Sequence, residues 1–156
     1  MDRQQKNYHA TALQWTGKGI LLRGASGSGK SSIALRLLDA AANAGLPAFL
    51  VGDDRIGLSS QPDGVYAHAP EKLRGLIELR GLGIIAVETI AHTRLDLVVD
   101  LVPKAEFERY PHEGANTTLI EDTAVPRIAI VERNPDAAMI IRMFFRAKLV
   151  EPSVCI

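Results

Sequence analysis

Residues 24 to 32 read Gly24-Ala25-Ser26-Gly27-Ser28-Gly29-Lys30-Ser31-Ser32. Gly24, Gly29, Lys30 and Ser31 stand at the spacing of a phosphate-binding loop, G-x-x-x-x-G-K-S. Each residue type has a physical task there. Glycines let backbone N–H groups wrap an anion without Cβ clashes. The N-terminus of a following helix adds partial positive charge. Lys30 reaches for the β- and γ-phosphates, and Ser31 offers its hydroxyl to Mg²⁺. Chance produces this pattern in roughly 0.5% of chains of this length, so binding of ATP or GTP by the run from Gly24 to Ser32 is the firmest expectation.

A phosphate loop does not name a reaction. The next acidic feature is Asp53-Asp54, after Phe49-Leu50-Val51-Gly52. Open α/β sheets bind ligands at the carboxyl ends of their strands. Two carboxylates there suit Mg²⁺ and proton acceptance from a substrate hydroxyl; the plainer reading is a turn pair capping Arg55. Further on stands Leu76-Ile77-Glu78-Leu79-Arg80-Gly81-Leu82-Gly83-Ile84-Ile85. Period two puts Glu78 and Arg80 on one side of a strand, and by itself this stretch reads as a salt-bridged hairpin.

The elements that must position these residues follow from periodicity. His9 to Thr16 reads as a strand containing Trp15, with Gly17-Lys18-Gly19 as a turn. Ile20 to Arg23 is a buried strand feeding the loop. Apolar residues at Ile33, Ala34, Leu37, Leu38 and Ala41 form one helical face that ends at Gly45 and Pro47. Ala48 to Gly52 is a second apolar strand. Shorter strands are expected at Arg55 to Ser59, Gly64 to His68, Leu76 to Arg80, Gly83 to Glu88, Leu95 to Val102 and Ile128 to Val131. Pro135 to Leu149 reads as an amphipathic closing helix with Pro in or near its first turn. Trp15 and the apolar stripe of residues 33 to 41 are expected in the core.

The chain has 156 residues, 47% of them hydrophobic, which suits a single domain, residues 1–156, with a real core. Eighteen basic and eighteen acidic side chains cancel, which disfavours nucleic acid as a partner. Cys155 is the only cysteine, so a reducing cytoplasm fits. The N-terminal residues lack an apolar h-region, and no apolar run approaches ~18 residues, so neither a signal peptide nor a membrane-spanning helix is expected.

In combination, the loop Gly24–Ser31, the pair Asp53-Asp54 and the run Glu78-Leu79-Arg80-Gly81-Leu82-Gly83-Ile84-Ile85 resemble the catalytic domain of the HPr kinase/phosphorylase family. His9 upstream of the loop, Arg109 in Phe107-Glu108-Arg109-Tyr110, and Phe144-Phe145-Arg146-Ala147-Lys148 near the end extend the likeness. The Arg-Gly-Leu-Gly run is its specific part. The resemblance implies an α/β fold in which a P-loop-containing sheet has flanking helices, related to the phosphoenolpyruvate carboxykinase type. It implies transfer of the γ-phosphate of ATP, with Mg²⁺, to a serine of the phosphocarrier protein HPr. On the matched positions, Lys30 holds phosphates and Ser31 and Glu78 hold Mg²⁺. Asp54 is the proton acceptor with Asp53 beside it, His9 and Arg109 complete the site, and Arg80 shapes the signature loop. The family also suggests a homo-oligomer, hexameric in relatives, and HPr docking on the closing helix and residues 103 to 118.

Three departures stand out. The chain looks like a short form without the family's N-terminal domain. The helix after the phosphate loop is lengthened by Ala41-Ala42-Asn43-Ala44-Gly45. The loop tied to dephosphorylation is reduced to Val131-Glu132-Arg133-Asn134-Pro135, which puts phosphorylase activity in question. Two other readings remain open: a P-loop kinase of a small metabolite, and a nucleotide-binding sensor without turnover.

Overall fold

The computed structural model describes residues 6–147. Lys148, Leu149 and Cys155, named above, lie outside the described residues. The chain forms strands β1 (Asn7–Tyr8), β2 (Ala10–Trp15) and β3 (Lys18–Arg23), then helix α1 (Lys30–Asn43) and β4 (Ala48–Gly52). There follow β5 (Ile56–Gln61), β6 (Gly64–His68), the hairpin β7 (Leu76–Leu79) and β8 (Gly83–Ala86), and the long β9 (His92–Val102). The chain then adds β10 (Thr117–Ile120), β11 (Thr123–Val131) and helix α2 (Ala137–Arg146).

Nine strands make one sheet in the order β1-β5-β6-β9-β3-β2-β4, with β11 also beside β9 and β10 beside β11. The hairpin β7–β8 stands apart as a two-stranded sheet. Strand directions decide where the chemistry gathers. β3 and β4 are both antiparallel to β2, which lies between them, so β3–α1–β4 is a crossover between two parallel strands. β9 runs parallel to β3, and β11 parallel to β9. The carboxyl ends of β3, β4, β9 and β11 therefore share one sheet edge with the start of β2.

Alternation along the central strands splits the core in two. Leu13, Ile20, Leu22, Leu97, Val99 and Ile130 pack toward both helices, against Ile33, Leu37, Ala138 and Ile141. Leu21 and Val98, one step along, face Val51, Ile56, Val65, Ile120 and Val125 on the other side. Both faces of β3 and β9 are covered, which is why those strands read as nearly continuous apolar runs. The two helices lie on one face; the other is covered by the curl of the sheet itself. Trp15 is buried as expected, 6.3 Å from Phe145 between ring centroids.

Several boundaries move. The first turn is Thr16–Gly17, with φ of 48° and 82°, so Lys18 and Gly19 already belong to β3. Gly45 and Leu46 donate back to the carbonyls of Ala42 and Ala41 and close α1. β7 ends at Leu79, which places Arg80 in the hairpin turn rather than on the strand beside Glu78. α2 begins at Ala137, two residues after Pro135, because the Asn134 side-chain oxygen accepts from the Asp136 N–H and holds that stretch as a turn. β1 and β10 had no sequence counterpart: the first has two residues, and Thr117-Thr118-Leu119-Ile120 lacks a sustained apolar pattern.

Candidate active site

The phosphate loop joins β3 to α1 at the shared edge. Two of its glycines are required by geometry. A Cβ at Gly24 would stand 2.6 Å from the Ser28 hydroxyl oxygen and 3.0 Å from the Leu101 Cβ. Gly29, at φ 105°, turns the chain into the helix, a conformation L side chains rarely adopt. The Lys30 amine curls back and donates to the carbonyls of Gly24 (2.8 Å) and Ala25 (3.0 Å). Burial lowers its pKa below the ordinary lysine value, against the raising pull of Asp54 and Asp53.

Asp53 and Asp54 follow β4 and separate into two different settings. Asp53 accepts from the Ser31 hydroxyl, which is 2.9 Å from both of its oxygens. It also accepts from the Thr11 hydroxyl at 2.7 Å. Asp54 takes the left-handed backbone region, φ 71°, which Asp tolerates better than most residues. The His9 Nε2 atom lies 2.7 Å from the Asp54 carboxylate. His9 itself sits in the bend between β1 and β2, not on a strand.

A cleft of about 580 Å³ opens in front of these groups. Ser26, Gly27, Gly29 and Lys30 to Ser32 form its floor, Asp53 and Asp54 one wall, and Glu78, Leu79 and Arg80 of the hairpin another. Ile77, the inward neighbour of Glu78, is buried against the helix-side core, which fixes the hairpin over α1. Glu78 and Arg80 form no ion pair with each other among the described residues, so the plain salt-bridged hairpin is not what forms.

Arg133 and Asn134 close the cleft from the β11–α2 turn. The Arg133 N–H donates to the Ser28 carbonyl and its Nε to the Gly27 carbonyl, both at 3.0 Å. The reduced loop seen in the sequence thus lies directly on the phosphate loop. Arg109 is the expected site residue that the fold keeps apart. It does not line the cleft; its guanidinium lies over the Tyr110 ring at 5.5 Å. Its segment is tied to β11 instead, through Arg127, which donates to the carbonyls of Ala115 and Asn116.

Hydroxyl and carboxylate oxygens are the donors that Mg²⁺ prefers, and Ser31, Asp53 and Glu78 supply them at one cleft. No three His, Cys, Asp or Glu side chains cluster into a metal cage among the described residues. Mg²⁺ at nucleotide sites is commonly held by one or two protein oxygens together with substrate phosphates. Thr11 was missed by sequence reasoning. The signal was a polar residue at the period-two position of Leu13 and Trp15, on a strand face otherwise apolar.

A family model described as the HPr serine kinase C-terminal domain matches residues 3–151. HPr kinase/phosphorylase of Lactobacillus acidophilus is 34% identical over 93% of this chain and 48% of its own length. The protein of that name from Bordetella pertussis is 38% identical over 66% of this chain and 35% of its own. The chain thus spans about half the length, or less, of the curated relatives it matches. The Hpr(Ser) kinase/phosphatase structure from Coxiella burnetii superposes with a TM-score of 0.74, at 24% identity, over 90% of this chain and 88% of that one. It shares the fold. On the strength of the family match and the curated relatives, the chain belongs to the HPr serine kinase C-terminal domain family.

Proposed function

We propose that this chain is an ATP-dependent protein-serine kinase domain whose acceptor is a serine of the phosphocarrier protein HPr. The observation that carries the reading is the convergence of Lys30, Ser31, Asp53, Asp54 and Glu78 on one cleft at the carboxyl edge of the sheet. Lys30 and the loop amides bind the phosphates. Ser31 and Glu78, with Asp53 bonded to Ser31, hold Mg²⁺, which supplies charge neutralisation at the phosphates. Asp54, steadied by His9, accepts the proton of the serine hydroxyl. The serine oxygen forms a bond to the γ-phosphorus, the bridging P–O bond to the β-phosphate breaks, and ADP leaves. Arg80 and Arg133 at the cleft walls offer positive charge to the transferring group. A cytoplasmic site of action and assembly into a homo-oligomer, hexameric as in relatives, belong to the same reading. No helix among the described residues is long and apolar enough to cross a membrane.

The test mixes the purified chain with Mg-ATP and HPr and weighs the HPr by mass spectrometry. A gain of one phosphate mapped to a serine supports the reading. Intact ATP binding without transfer to HPr overturns it in favour of a metabolite acceptor or a silent sensor. Adding inorganic phosphate afterwards, and watching for loss of the added phosphate from HPr with release of pyrophosphate, tests phosphorolysis at the altered Arg133-Asn134 loop.

A further inference from the structure

Thr11 is the polar side chain at this edge whose surroundings give it least reason to be polar. It is fully buried, on a strand whose neighbours Ala10, Ala12 and Leu13 are buried and apolar. A valine would fill the same volume without a hydroxyl to satisfy. The hydroxyl instead donates to Asp53 across a separation of 42 residues, at 2.7 Å. That bond joins β2, the strand between the two strands of the crossover, to the residue that follows the carboxyl end of β4.

We infer that Thr11 is a positioning residue for the cation site, acting through Asp53 on Ser31. The inference rests on the Mg-nucleotide reading above. Thr11 donates to the Oδ1 atom of Asp53, and the Ser31 hydroxyl donates to the same carboxylate. A carboxylate held from one side cannot rotate away, so it keeps the Ser31 proton pointed at itself. The lone pairs of the Ser31 oxygen are then left for the cation. Groups that orient metal ligands in this way commonly carry about 10–100-fold of metal affinity or activity. Without the Thr11 hydroxyl, Asp53 retains its charge but not its orientation.

The experiment measures ATP binding by calorimetry, once in Mg²⁺ and once in EDTA, and needs no acceptor protein. Thr11→Val should weaken binding in Mg²⁺ by about tenfold and leave binding in EDTA unchanged. Thr11→Ser should restore the wild-type value. In an Asp53→Asn background, Thr11→Val should add no further loss, because the two act as one unit. Thr11→Ala replaces the valine variant if a thermal melt shows that the latter does not fold; loss of fold in both would make Thr11 a core residue and overturn the inference. Equal weakening in Mg²⁺ and EDTA, or none in either, also overturns it. If wild-type binding does not depend on Mg²⁺ at all, the cation part of the proposed function falls with it. If wild-type binding is Mg²⁺-dependent but indifferent to Thr11, the inference alone fails.

Discussion

Two charged clusters stand at the same edge of the sheet, on opposite faces. On the helix side, Asp54 is 74% exposed. One of its oxygens meets His9, and the other has no partner among the described residues. On the far side, Asp100 of β9 is only 18% exposed and lies between two arginines. The Arg23 Nε and Nη2 atoms reach its two oxygens at 2.7 and 2.8 Å, and the Arg127 Nε reaches it at 2.6 Å. Burial raises the Asp100 pKa, but the hydrogen bonds from Arg23 and then Arg127 outweigh this and hold it below the usual aspartate value. The residue types overlap, yet one cluster is closed on itself and the other is open to a cleft. A carboxylate that accepts three hydrogen bonds from two guanidiniums and is held below its usual pKa is a poor acceptor for a substrate proton. A carboxylate with a spare oxygen facing a phosphate loop is a better one.

The comparison predicts opposite consequences for the same substitution. Asp54→Asn should cost at least ~100-fold in phosphoryl transfer, the effect of a removed general base, while ATP binding persists. Its melting temperature should barely move, since Asn also tolerates the left-handed backbone region. Normal transfer by this variant would show that Asp54 is not the proton acceptor. Asp100→Asn should do the reverse. It leaves two part-buried guanidiniums facing a neutral amide and should destabilise the fold by about 1–3 kcal/mol, read by urea unfolding, with ATP affinity near wild type.

Acid sharpens the contrast further. Because the folded pKa of Asp100 is depressed, its contribution is full above the ordinary aspartate value of about 3.9. It is lost as pH falls through the lower folded value. The stability gap between wild type and Asp100→Asn should therefore be constant from neutrality to about pH 4 and close below it. A gap that closes well above pH 4 would mean that the arginines do not hold the charge. The smallest effect belongs to His9→Gln. Gln keeps a donor near Asp54 but not the ring, and steady-state kinetics should show a loss of about tenfold or less. A loss as large as that of Asp54→Asn would give His9 a direct part in proton transfer.

Much of this site was legible because its signals are local. The loop Gly24–Ser31 announces its chemistry by residue type and spacing, the Asp53-Asp54 pair does so only by its place after an apolar strand, and the Glu78 hairpin does so only through the family resemblance. Other features depend on strands far apart in sequence. Whether Arg23 meets Asp100 is set by the parallel register of β3 and β9, which pairs those two residues. Arg127 likewise meets the carbonyls of Ala115 and Asn116 only because β11 returns beside the end of the segment that carries Arg109. Thr11 looked like any polar residue in a strand until β2 was placed between β3 and β4.

From the sequence alone came the residues of the phosphate loop, the helix behind it and the carboxylates after the next apolar strand. These follow from spacing, side-chain chemistry and period, which act over a few residues. The tertiary structure alone decided which carboxylate faces Ser31 and which faces His9. It also decided that Arg133 lies on the loop and that Arg109 stands away from it. Those outcomes go with strand order, register and left-handed backbone at Asp54 and Arg133, and long-range pairing of that kind leaves no periodic mark in the chain.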